Sequence, residues 1–207
     1  MESQSDKNQN ISFILSNIWS RPRWFFSIVT EQRYEKYMWL FIYLGVVAGN
    51  LNRVKVNESD SIISIFLKEF ILNAALSVFF YYAFAFLLSL VGRWLAGVGE
   101  GRDIFRIMSY AIIPGLLLLL IHLIGISLFG LAYFSEEFWT GNSSQSLSAL
   151  KVVFNVIQII LALNIATFFI IGIATVQKFA IWKAILNLVL PVFLFLGIAF
   201  LVAVVSK

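Results

Sequence analysis

The residue best suited to proton chemistry is His122, the single histidine of this 207-residue chain, set in the apolar run LLIHLIG. An ionisable group among lipid-compatible neighbours marks a functional site by default. A proton relay also needs a partner, and no Asp, Glu, Lys or Arg falls inside any of the expected spans. A neutral His hydrogen-bonded to a neighbouring helix is therefore expected. With one His and no Cys, no Ser/His/Asp or Cys/His set can be assembled, and no metal site is expected without carboxylates nearby. Glu136 and Glu137 could form an acid–base pair, but adjacent helical residues point about 100° apart. They border the polar stretch SEEFWTGNSSQS, which reads as a solvated loop. No catalytic residue, cofactor or enzyme activity is expected.

Asn155, Gln158, Asn164 and Asn187 are the other intramembrane polar groups, with Asn73 near a span end. Asn155 and Gln158 share one helix face. Such amides join helices by hydrogen bonds or bind a solute, and both readings stay open. Gly97, Gly99 and Gly101 in GVGEGR have a spacing that could cradle phosphate. Nucleotide folds require a strand before such a loop and a βαβ unit around it, which this sequence lacks. A flexible hairpin turn is expected, holding Arg102 and Arg106 near lipid headgroups. Arg21, Pro22 and Arg23, and Lys178, Trp182 and Lys183, are further candidates for membrane docking or partner contact.

These groups are carried by a chain that is 60% hydrophobic and 13% charged, its charges gathered in islands between long apolar runs. That pattern excludes an ordinary soluble domain and predicts an all-α membrane protein. The net charge of +4 is placed beside apolar segments, which points to an anionic lipid surface and not to nucleic acid. Zero cysteines exclude disulfides. Residues 1–10 form a polar tail, and the apolar stretch after it is broken by Ser16 and Asn17. It lacks a secretory h-region, so the N-terminus is expected to be retained. Residues 11–36 read as an amphipathic segment, interrupted by Pro22 between two arginines, that lies in the headgroup region or packs on the bundle.

Residues 37–207 are expected to form a five-helix transmembrane domain, with spans at about 37–51, 70–91, 107–134, 152–176 and 184–205. The first is short for a core of about 30 Å. With the N-terminus cytoplasmic and the C-terminus opposite, ten basic residues lie inside and five outside. Five of the ten surround Arg102 and Lys178, whereas Lys151 stands alone in the loop between, which requires the first helix to cross. Gly45 and Gly49 form a GxxxG suited to close helix contact. Phe105 and Arg106 precede Pro114 as Trp182 and Lys183 precede Pro191, with eight residues from each cation to its proline. The prolines are expected to kink their helices, and the spacing suggests two parallel helical hairpins.

SNIWSRPRWFFSIV, then RWLAGVGEGRDIFRIMSYAIIPGLL, then AIWKAILNLVLPVFL resemble the Yip1 domain family in its short bacterial form, over residues 11–205. The resemblance implies five spans, a bacterial cytoplasmic (inner) membrane location and no established reaction. Eukaryotic members carry a long cytosolic arm and associate with small Rab-type GTPases. Only residues 1–36 precede the first expected span, so small-GTPase binding is not carried over. The expected role is a scaffold, membrane-organising element or assembly partner, working with the lipid bilayer and with other membrane proteins or a second copy. The alternative is a small-solute transporter or channel that is not ion-coupled.

Overall fold

A computed structural model describes the backbone of residues 11–54, 61–135, 138 and 145–205, and in the last two helices the side chains of residues 149, 151–194, 196 and 197. The polar tail 1–10 and the pair Glu136 and Glu137 lie outside the described residues. All regular structure among those residues is helical. The chain divides into two compact units, one from Met1–Lys36, Tyr81–Met108 and Phe168–Lys207, the other from Tyr37–Phe80 and Ser109–Thr167.

In the first unit, α1 (Ile11–Ser20) stops where Pro22 bars the preceding residue from helical geometry; Arg21 has φ −143° and ψ 63°. Pro22 then opens α2 (Pro22–Glu31), where its missing N–H costs nothing. The buried side chains Ile14, Ile18, Phe25, Phe26 and Val29 make this segment a packed part of its unit. Trp19 meets Phe168 edge-on at 5.2 Å, and Phe26 packs where Gly172 leaves bare backbone. Ile11, Leu15, Trp19 and Trp24 of the same segment stay exposed.

The second unit contains α3 (Met38–Leu51), which runs along α7 (Pro114–Phe129). A short α4 (Ile62–Leu67) begins with a reciprocal Ser61–Ser64 capping box. It continues through a π-helical turn (Lys68–Asn73) into α5 (Ala74–Trp94). The Tyr43 hydroxyl donates to the Phe70 carbonyl in that turn. Because the cap starts the helix early, Glu69 is helical and buried just before the apolar stretch 70–91, where the Asn73 amide donates to it at 2.8 Å.

The expected single helix 107–134 is corrected. Helix α6 (Gly101–Ala111) ends, and α7 starts at Pro114. Pro114 has no N–H for the Tyr110 carbonyl, which takes the Ile113 N–H at 3.1 Å in a tighter turn. After α7, Gly130 (φ 58°) turns the chain into a 3-10 helix, Gly130–Phe134. The last helices are α8 (Gln145–Val176) and α9 (Ile181–Val205), and α9 contains Pro191 in its interior. Pro114 thus opens a helix while Pro191 interrupts a continuous one, so equal spacing does not produce equal local backbone.

Among the described residues, three helical stretches are long and apolar enough to cross a membrane: Ile62–Trp94, Pro114–Phe134 and Lys151–Val176. Ile11–Ser20, Met38–Leu51 and Ile181–Leu194 are apolar but shorter within the described residues. Phe79, Phe80, Leu128, Leu163 and Phe193 are all exposed by more than 60%, as lipid-facing side chains would be.

Candidate functional site

Two polar constellations stand out, one in each unit. In the first unit, three helix ends are shaped by the same chemistry. After α2, Tyr34 N–H donates to Val29 and Arg33 N–H to Thr30, with Arg33 at φ 48°. After α5 the same pair of bonds joins Gly97 to Gly92 and Ala96 to Arg93, with Ala96 at φ 66°. After α8 it joins Phe179 to Ala174 and Lys178 to Thr175, with Lys178 at φ 57°. Each is a Schellman cap whose left-handed residue is not glycine.

Gly97 and Gly99 therefore serve another purpose than the flexible turn expected of them. The side chain of Gln177 is fully buried and fills the space where a Cβ on Gly92 or Gly97 would be. Its Oε1 accepts from the Gly99 N–H at 2.9 Å, while the Ser89 hydroxyl donates to the Gly99 carbonyl at 2.8 Å. Lys183 donates to the Leu95 carbonyl at 3.2 Å, with its ammonium 5.8 Å from the centre of the Trp182 ring. The loop after α5 is thus clamped from both sides.

Beside it, Glu35 accepts a two-pronged contact from Arg102 (3.0 and 2.9 Å) and a third bond from Arg106 at 2.8 Å. Arg106 also donates to Asp103 at 2.6 Å and is 2% exposed, against 67% for the Arg102 side chain. The hydrogen bonds from Arg102 and then Arg106 hold the Glu35 carboxyl below its ordinary value of 4.5. The same contact with Glu35 raises Arg102. An adjoining cavity of about 470 Å³ is bordered by Arg33, Arg102 and Arg106 and by Glu35, Glu100 and Asp103. Three positive and three negative groups cancel there, so the arrangement fastens segments together and offers no net charge to an anion.

In the second unit, His122 Nδ1 lies 2.9 Å from the Tyr133 hydroxyl. The partner belongs to the 3-10 turn that directly follows the helix carrying His122, not to a neighbouring long helix as expected. Gly125 makes this possible, because the Tyr133 ring occupies the place of its missing Cβ. Asn155 and Gln158 face the same small cavity as this pair.

The remaining candidates are dispersed. Arg21 and Arg23 are exposed. Asn164 spends its amide on the Ile160 carbonyl of its own helix, at 2.8 Å. Asn187 is buried with neither amide atom hydrogen-bonded, four residues before Pro191. Glu35 and Gln177 were missed from sequence. Glu35 stands in the charged run RYEK, and Gln177 directly follows a long apolar helix, so neither has a periodic signal. No protein-family model, curated protein or solved structure was found to match the chain.

Proposed function

We propose that this chain is a five-span, Yip1-type protein of the bacterial cytoplasmic membrane that acts as a scaffold or assembly partner. The observation that carries this reading is the clamp of Glu35 on Arg102 and Arg106 beside the Gln177–Gly99 bond. Together they fasten the N-terminal segment, the loop after α5 and the loop after α8 into one preorganised polar face. Preorganisation lowers the entropy cost of docking a partner. The surplus of basic residues around Arg102 and Lys178 supports a cytoplasmic position for that face. In this reading Met38–Leu51 and α9 complete the five spans. The short one, 14 residues or about 21 Å at 1.5 Å per residue, is met by local bilayer thinning.

Affinity capture of the tagged protein in mild detergent tests the role. Specific membrane proteins, or a second copy, are expected to co-purify with the wild type and to be lost with Glu35→Ala. Capture of nothing specific, or an identical set with the variant, refutes it. Orientation is tested with single cysteines at Val98 and Arg53 in this cysteine-free chain. A membrane-impermeant maleimide applied to intact cells should label position 53 and spare position 98.

The polar cavity of the second unit favours a second reading, small-solute transport without ion coupling. Protein-dependent flux into proteoliposomes would promote that reading. Flux driven by a pH gradient and lost with His122→Gln would overturn its uncoupled form.

A further inference from the structure

A cavity of about 200 Å³ lies within the second unit, and five side chains that can hydrogen-bond line it: Asn52, His122, Tyr133, Asn155 and Gln158. Its other lining residues, Leu51, Val54 and Phe134, are apolar, and none of the eight carries a formal charge. His122 is 1% exposed and bonds Tyr133 through Nδ1, and the ring also faces the backbone of Ala48. Nε2, though buried, makes no hydrogen bond of ordinary geometry. Leaving such an atom unsatisfied costs about 1–3 kcal/mol. Nδ1 is engaged with Tyr133, and Nε2 can donate or accept according to the tautomer, in competition with the nearby Ala48 backbone.

We propose that this cavity is a binding site for a compact, uncharged, polyhydroxylated solute. An ion entering it would exchange part of its hydration for a lining that carries no opposite charge, a cost that an uncharged solute does not meet. Side-chain amides and an imidazole each donate and accept, as hydroxyl groups do, so a polyol can satisfy donors and acceptors together. The volume exceeds the roughly 30 Å³ share of one water severalfold and falls below the pockets of about 300–1,000 Å³ that hold drug-sized ligands. Such hydroxyls could belong to a free solute or to a lipid headgroup. The site shares no residue with the Glu35 clamp and does not depend on the scaffold reading.

The test uses the full chain in phosphatidylcholine nanodiscs, with radiolabelled myo-inositol as probe in equilibrium dialysis. Saturable binding is expected, with choline and inorganic phosphate failing to compete at equal concentration. His122→Leu and Gln158→Leu should each weaken binding at least tenfold, while Asn164→Leu, whose amide bonds its own helix, leaves it unchanged. Gln158 is only partly buried, so its variant decides the matter if His122→Leu fails to fold. Nanodiscs containing phosphatidylinositol form a second arm. Competition there assigns the hydroxyls to a headgroup, and undiminished myo-inositol binding assigns them to a free solute. Absence of saturable binding, binding untouched by Gln158→Leu, or equal competition by phosphate overturns the proposal.

Discussion

Glu35 and Arg106, 71 positions apart, meet at 2.8 Å, and the arginine of this pair is 98% removed from solvent. Their bond ties the end of the N-terminal segment to α6. The asymmetry in burial sets the energetics. The contact with exposed Arg102 is screened, whereas the buried guanidinium depends on its acceptors.

Acid should loosen this clamp. The folded state holds the Glu35 carboxyl below 4.5, so the bond stabilises fully at pH values above that figure. Its contribution is lost as pH falls through the lowered value. Glu35→Gln should destabilise by about 1–2 kcal/mol at neutral pH. It should also flatten the acid limb of stability. Thermal unfolding in detergent between pH 7 and pH 3 reads both effects, and an unchanged acid limb would count against the clamp.

Ala96→Gly should stabilise the protein. An L-residue at φ 66° pays a steric penalty that glycine avoids, partly offset by glycine's larger unfolded-state entropy. A net gain of about 0.5–1 kcal/mol is expected. Gly97→Ala, one position on, should instead destabilise, because its methyl would enter the space of Gln177. The opposite signs of adjacent substitutions, read as shifts in Tm, distinguish a shaped turn from a flexible one.

The two glycines of the GxxxG should behave differently. A Cβ on Gly45 would stand 2.6 Å from the Ile112 side chain, but one on Gly49 would meet nothing within 4 Å. Gly45→Ala is expected to cost about 1–3 kcal/mol by overpacking, and Gly49→Ala to be near neutral. Denaturation of the two variants side by side decides it. A loss confined to Gly49→Ala would point to a contact with another chain.

Tyr133→Phe removes one hydroxyl from the His122 pair and should cost about 1 kcal/mol. Gly125→Ala must displace the whole Tyr133 ring and should cost more than Tyr133→Phe. The two losses should be less than additive, because both break the same hydrogen bond. Full additivity in the double variant would separate Gly125 from the pair.

Composition and hydrophobic run length determined by themselves that the chain is helical and built for a bilayer, because lipid admits long stretches only where backbone groups bond internally. Pro22 likewise marked a break in the N-terminal segment, since a missing N–H is a local property of the residue, whereas Pro114, expected to kink a helix over 107–134, instead opens α7. The roles of Gly97 and Gly125 were not legible, because what fills the space above a glycine belongs to a distant segment. Gln177 sits 78 positions from the Gly99 amide it accepts from, and no spacing rule encodes that distance. His122 announced itself as a lone ionisable group in an apolar run, but its partner depended on how the chain turns at Gly130. The tertiary structure alone decided which polar atoms meet, because hydrogen bonds and close packing are satisfied over a few ångströms in space and not along the chain.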